Sequence, residues 1–155
     1  VTMVVKTIKL TSLFVNTENY RFEPLTSQKE AIDKMVEDQG DKLYFLVDDI
    51  VTNGLSPVDL IIVTPNEDNN KYIVLEGNRR ITSLKLLNNP TLVDDKYVSL
   101  RKKFQKLQKE LGRAEWYRYC YLECSTKAKI RGENRREIID SIANYHFVEI
   151  TRKCF

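Results

Sequence analysis

Apolar residues recur every three or four positions in five segments of the chain, and this spacing predicts five amphipathic α-helices. We place these helices at residues 27–40, 41–53, 78–88, 96–111 and 134–146. Ser27 and Glu30 predict a capping box at the start of the first helix, and Asp41 and Asn78 are the expected N-caps of the second and third. A glycine follows each of the first two helices, where it favours helix termination.

Four short runs of β-branched and aromatic residues predict strands, at residues 4–10, 59–63, 72–76 and 116–124. The polar cluster TPNEDNNK separates the second run from the third, which favours a hairpin or two neighbouring strands. The sequence contains no repeat and no low-complexity linker. We therefore expect a single α+β domain over residues 1–155, with helices packed around a small mixed sheet.

Composition narrows the classes of function. The 155 residues are 42% hydrophobic and 30% charged, which is enough to bury one core. No apolar run reaches the roughly 18 residues of a membrane span, and no signal-peptide pattern opens the sequence, so we expect a cytoplasmic protein without membrane contact. Cys120 and Cys124 are expected on one strand, too far apart to form a disulfide, and their spacing disfavours a metal site.

Several catalytic motifs are missing from the sequence. There is no GxxxxGK[ST] phosphate loop, no HExxH zinc helix, no GxSxG elbow and no GxGxxG dinucleotide turn. The single histidine, His146, is expected to be a structural or surface residue. The sequence alone therefore points to no nucleophile–histidine pair.

Charge is distributed unevenly along the chain. Residues 1–77 hold 7 Lys+Arg and 13 Asp+Glu, whereas residues 78–155 hold 18 Lys+Arg and 9 Asp+Glu. The second half is thus the part that could meet phosphate or nucleic acid. Its predicted helix at 96–111 has a basic outer face, which consists of Arg101, Lys102, Lys103, Lys106 and Lys109. This face is either an ordinary solvated surface or a contact for a nucleic-acid backbone.

The stretch YIVLEGNRRITSLKLL carries the main candidate site. Gly77 and Asn78 follow a predicted strand, and Arg79 and Arg80 fall in the first turn of the next helix. The start of a helix is already positive, so two cations there are unfavourable unless an anion binds. Glycine, free N–H groups and two guanidinium groups together predict a phosphate site. The alternative is that the arginines pair with carboxylates of the protein itself.

Glu76 is the nearest carboxylate to this turn. It could act as a catalytic base, hold a magnesium ion or pair with one of the arginines. These three roles remain open at the level of the sequence.

The order NxxNYRF at 16–22, GLSP at 54–57 and YIVLEGNRRITSLKLL at 72–87 resembles the N-terminal domain of the ParB and sulfiredoxin-like superfamily. The resemblance covers about residues 8–87, and residues 91–150 form a helical and strand extension. It implies a ParB-like fold in which turns wrap the phosphates of a nucleotide. The positions that it assigns to phosphate or nucleotide binding are Arg21, Gly54, Ser56, Gly77, Asn78, Arg79 and Arg80.

The segment GENRRE looks like a shortened version of a further ParB box, and this adds Glu133, Asn134 and Arg135 to the nucleotide pocket. Two departures restrict what the resemblance implies. Asn78 stands where sulfiredoxins have a cysteine, so sulfinic-acid repair is not expected. Unless the chain is a fragment, its 155 residues leave no room for the DNA-binding and dimerisation regions of ParB partition proteins, so centromere binding is not expected either.

The resemblance implies a phosphate pocket without naming a reaction. The strand, Glu76, the glycine turn and the two arginines together suggest an enzymatic hypothesis, a ParB-like nucleotide phosphohydrolase or a metal-dependent nuclease with Glu76 as the base or a magnesium ligand. The expected ligands are a nucleotide, CTP or ATP with magnesium, or a nucleic acid, and a homodimer is compatible with either. The alternative is a non-enzymatic DNA-binding or protein-adaptor module of plasmid or phage type.

Overall fold

A computed structural model of the protein describes residues 3–17, 27–67 and 70–127. Strands β1 (Met3–Lys9), β2 (Leu13–Phe14), β3 (Ile61–Pro65), β4 (Tyr72–Glu76) and β5 (Tyr121–Lys127) form one sheet. The helices are α1 (Gln28–Gln39), α2 (Asp41–Asn53), α3 (Asn78–Asn88), α4 (Val98–Glu110) and α5 (Arg113–Cys120). Short 3₁₀ turns occupy Leu10–Ser12, Pro90–Leu92 and Asp95–Tyr97. The helix predicted at 134–146 lies outside the described residues.

The sheet is mixed, with strand order β1-β5-β3-β4-β2. β3 and β4 are antiparallel neighbours, which confirms the hairpin predicted from the polar cluster between them. β1 pairs antiparallel with β5, whereas β3–β5 and β2–β4 are parallel pairs. An α+β protein with a small mixed sheet is thus confirmed.

The helices supply most of the buried apolar residues of the described ranges. Fully or nearly fully buried side chains include Met35 of α1, Val47 of α2, Leu84 of α3 and Phe104 of α4. The predicted apolar stripes of these helices are confirmed, because their members face this core. Across the described residues, no helix combines the length and the apolar character that a membrane crossing requires.

The strand predicted at 116–124 is wrong in its first half. Residues 113–120 form α5, whose start is closed by the Gly112 N–H donating to Glu115 Oε2 at 3.2 Å. Tyr119 is buried, and its hydroxyl donates to the Ile50 carbonyl of α2 at 3.0 Å. The alternating aromatic residues of this segment are typical of a strand, but in the structure the contact between Tyr119 and α2 is made from a helix.

Cys120 and Cys124 consequently lie on different elements, at the end of α5 and within β5, and both are free thiols. Burial raises the pKa of the Cys124 thiol to about 11, although the positive charge of Arg80 acts in the opposite direction. Cys124 is therefore protonated at neutral pH, which disfavours a role as a nucleophile.

Two of the three predicted N-caps are wrong. Ser27 caps α1 as predicted, because its hydroxyl accepts from the Glu30 N–H at 3.2 Å. Asp41 and Asn78 are instead the first residues inside their helices, and the N-caps are the glycines that precede them. Both glycines adopt positive φ angles, so the chain turns into each helix through a conformation that disfavours a side chain.

Candidate phosphate-binding site

The Gly77 turn, which we define as residues 76–80, connects β4 to α3. Gly77 has φ 101°, in the left-handed region. A Cβ atom at this position would lie 3.1 Å from Ile61 Cγ1 and 3.2 Å from Arg80 Nη2. The turn therefore requires glycine both for its backbone conformation and for the close approach of Arg80.

Asn78 fixes the turn to the rest of the protein. Its side chain is buried, Oδ1 accepts from the backbone N–H of Asn16 at 2.9 Å, and Nδ2 donates to the Val74 carbonyl at 3.2 Å. The first and third segments of the family resemblance thus meet at this residue. Because its amide is used by the backbone, Asn78 acts in positioning and not as the predicted cap.

The start of α3 remains strongly positive. Its first turn contains no acidic residue, and the described residues include no side chain that caps it. Arg79 is exposed, and its Nη1 lies 3.4 Å from the neutral Gln39 Oε1 at the end of α1. No carboxylate within the described residues forms an ion pair with Arg79, so the conflict noted in the sequence persists in the structure.

Arg80 is held differently. Its Nη1 donates to the Asp59 carbonyl at 2.5 Å, and its Nη2 lies 3.6 Å from the Asp59 carboxylate. The side chain is only 16% exposed. The alternative of internal pairing therefore applies to Arg80 and not to Arg79. A guanidinium has five N–H donors, so Asp59 fixes the group without using its full donor capacity.

A cavity of about 230 Å³ adjoins Arg80, and we call it the Arg80 cavity. Ser56 of the GLSP turn lines it, so the second and third segments of the resemblance are brought together here. Arg118 at the end of α5 also lines it, together with Asp59 and Glu123. Gly54 ends α2 with φ 81° and is not part of the lining.

Sequence reasoning missed Arg118, Asp59 and Glu123 as members of this cavity. The strand predicted at 59–63 includes Asp59, whereas β3 begins two residues later. Arg118 falls in another predicted strand, whereas in the structure it belongs to α5 and lines the cavity. No local signal in the sequence identifies these contacts, because each joins segments distant along the chain.

Glu76 lies apart from the Arg80 cavity. It is exposed at the end of β4, and its partner in the sheet register is Ile62. Ile62 packs with Leu75 and Met3 in a cluster separate from the main core. The carboxylate that the sequence favours as catalytic is therefore beside the turn but does not line the cavity.

The basic face of α4 is partly neutralised by the protein. Arg101 Nη1 donates to the Asp95 carboxylate at 2.5 Å, and Arg101 Nε donates to the Val93 carbonyl at 3.0 Å. Lys103 Nζ lies 3.0 Å from Asp41. Arg101 and Lys103 thus secure α4 to neighbouring elements.

The other three cations of this face point into solvent. Lys106 is 3.9 Å from Glu110, an exposed pair of little energetic weight. Lys102 and Lys109 are exposed, and no ion pair joins either to another residue of the described ranges.

Four predicted site residues, Arg21, Glu133, Asn134 and Arg135, lie outside the described residues. Within the described ranges, no group of three or more His, Cys, Asp or Glu side chains could hold a metal ion. A magnesium ion commonly needs only one or two carboxylates when phosphates supply the remaining oxygens.

Comparison with protein-family models and with curated proteins found no match to this chain. The resemblance to the ParB and sulfiredoxin-like superfamily therefore stays a prediction from motifs.

Proposed function

We propose that this protein binds the phosphate groups of a nucleotide or of a nucleic acid at the start of α3, as a ParB-like domain acting in the cytoplasm. The observation that carries the proposal is the first turn of α3. It has an uncapped, positive N-terminus, an exposed Arg79 and an Arg80 already oriented by Asp59. An anionic ligand would relieve the electrostatic conflict at this turn.

The interaction energies expected at the start of α3 favour a bound anion. The helix dipole and free N–H groups contribute about 0.3–1 kcal/mol to a bound negative charge. A charge-assisted hydrogen bond from a guanidinium adds roughly 1.5–3 kcal/mol. Arg79 is a better donor to an incoming phosphate than Arg80, since among the described residues its side chain makes only a long hydrogen bond to a neutral amide. Arg80 and Ser56 offer donors on the cavity side of the turn.

The reaction that we propose is hydrolysis of a nucleotide phosphate or metal-dependent cleavage of a nucleic acid. Glu76 is the carboxylate assigned to activate the water or to contact magnesium. Its place outside the Arg80 cavity requires that the scissile phosphate lie at the turn itself and not deep in the cavity. The magnesium ion of this proposal is one that a nucleotide carries on its own phosphates.

Calorimetric titration with CTP, ATP and GTP, with and without magnesium, tests the binding step. We expect one of them to bind, and Arg79→Gln to weaken its affinity at least about tenfold, equivalent to about 1.4 kcal/mol. Lys102→Gln is the matched control, since it removes an exposed cation from another helix. If no nucleotide binds, or if both variants bind as the wild type does, the nucleotide-binding proposal fails.

Turnover requires a separate measurement. Phosphate release from the bound nucleotide and cleavage of plasmid and single-stranded DNA should both be followed in the wild type and in Glu76→Gln. We expect Glu76→Gln to retain binding and to lose turnover. Binding without turnover in the wild type would leave a binding module and refute the enzymatic part.

A second candidate, a non-enzymatic nucleic-acid-binding module, is favoured by the exposed cations of α4. Lys102, Lys106 and Lys109 are all exposed. This candidate predicts DNA binding that survives Arg79→Gln and weakens with salt. The logarithm of the DNA association constant falls linearly with the logarithm of the salt concentration. Neutralising the three lysines should make this fall less steep, by up to about 0.9 in slope for each phosphate contact that is lost.

A further inference from the structure

A second cavity lies at the opposite end of α3 from the Gly77 turn. Its volume is about 200 Å³, and it is bounded by the 3₁₀ turn Leu10–Ser12, α1, the end of α3 and the turn Pro90–Leu92. Leu10, Phe14 and Ile32 supply apolar walls. This volume is below the roughly 300 Å³ at which pockets for drug-sized ligands begin, so the cavity suits a smaller molecule.

Lys85 is the one ionisable side chain among the residues that line this cavity. It is mostly buried, and its Nζ donates to the Leu10 carbonyl at 3.3 Å. The same Nζ lies 5.9 Å from the centre of the Phe14 ring, over which Lys71 also sits at 5.6 Å. The residues that line the cavity include no carboxylate that could stabilise the protonated amine of Lys85.

Burial lowers the pKa of Lys85 to about 8. At pH 7.5 an amine with this pKa is roughly one-quarter neutral, whereas one with a pKa of 10.5 is neutral in about one molecule in a thousand. The neutral amine is the form that attacks carbon, and desolvation in an apolar pocket is an established way to activate a lysine.

We propose that Lys85 is a reactive amine that captures a small aldehyde or ketone with an apolar body in this cavity, as an imine. The lone pair of Nζ forms a bond to the carbonyl carbon, and a proton passes from nitrogen to oxygen to give a carbinolamine. Loss of one water molecule then forms the C=N bond. The step needs no oxidant or reductant, and hydrolysis reverses it. This inference does not depend on the proposed phosphate site.

Reductive trapping tests the proposal on the intact protein. Benzaldehyde with sodium cyanoborohydride at pH 7.5 converts any imine into a stable benzyl-lysine, which peptide mass spectrometry locates. We expect Lys85 to be labelled at least about tenfold faster than Lys102, a margin that allows for the lower intrinsic nucleophilicity of a less basic amine. The pH profile of labelling at Lys85 should have its midpoint near 8.

Two further measurements separate the cavity from general reactivity. A bulky aldehyde such as 1-pyrenecarboxaldehyde exceeds the cavity, so it should label Lys85 no faster than Lys102. Lys85→Arg keeps a cation at this position and should remove the fast-labelled peptide alone. Equal labelling of the two lysines by benzaldehyde, or fast labelling of Lys85 by the bulky aldehyde, would overturn the proposal.

Discussion

Replacement of Gly77 by alanine is the sharpest test of the turn between β4 and α3. The substitution adds a single Cβ atom to a residue with φ 101°, a backbone conformation that L-amino acids rarely adopt. The new atom would meet Ile61 Cγ1 at 3.1 Å and Arg80 Nη2 at 3.2 Å. Ile61 is only 2% exposed and cannot move aside freely, whereas the Arg80 side chain can shift at the expense of its contact with Asp59.

The expected loss of stability has two parts. A non-glycine residue in the left-handed region costs about 1–2 kcal/mol. Crowding a buried side chain costs roughly another 1–2 kcal/mol. We therefore expect Gly77→Ala to lower the free energy of unfolding by about 2–4 kcal/mol. The melting temperature should fall by roughly 5–15 °C, because 1 kcal/mol corresponds to about 2–4 °C in a domain of this size.

Gly54→Ala provides a comparison at a second glycine with positive φ. Gly54 also has a positive φ angle, 81°, but a Cβ atom there would meet nothing within 4 Å. This variant should incur a backbone cost without crowding, although the ψ of Gly54, 175°, differs from the 19° of Gly77, so the two backbone costs are not equal. Urea denaturation of the wild type and both variants measures all three free energies. If Gly77→Ala lowers the free energy of unfolding by less than about 1 kcal/mol, the close packing at the Gly77 turn is incorrect.

Three further changes probe other parts of the structure. Asn78→Ala should lower stability by about 1–3 kcal/mol in denaturant titration, because the buried Asn16 N–H loses its acceptor; wild-type stability in this variant would contradict that role. Between pH 8 and 10.5 the unfolded chain keeps the Lys85 proton that the folded protein has released. The free energy of unfolding of the wild type should therefore rise with pH relative to that of Lys85→Met. If the two free energies change with pH in parallel, the lowered pKa of Lys85 is contradicted. Arg101→Met should destabilise the protein by about 1–2 kcal/mol, because it removes hydrogen bonds to Val93 and Asp95. Lys102→Met is the control and should have almost no effect. Equal shifts of the melting temperature in the two variants would show that Arg101 does not secure the start of α4.

Local rules in the sequence were sufficient for several elements. The Ser27 cap, the α1 and α4 stripes and the β3–β4 hairpin depend on residues close together in the chain, and the structure has all of them. The same holds for Arg79 and Arg80, since a glycine turn followed by a periodic apolar run fixes their place in the first turn of α3. The sequence also identified Ser56 as a neighbour of this turn, but only through a family resemblance.

Tertiary structure decided what these residues can do. The local sequence predicts Asn78 as a helix cap, because it contains no information on which distant backbone groups need hydrogen-bond partners. In the structure, the Asn78 side-chain amide instead bonds to the backbone of Asn16 and of Val74. Arg79 and Arg80 are adjacent and chemically identical, yet Asp59 engages one and leaves the other in solvent. Arg118 lines the cavity from α5, a helix whose Tyr119 is buried and donates to the Ile50 carbonyl of α2. The chain sequence thus set where the positive turn lies, and long-range packing set which of its groups remain available to a ligand.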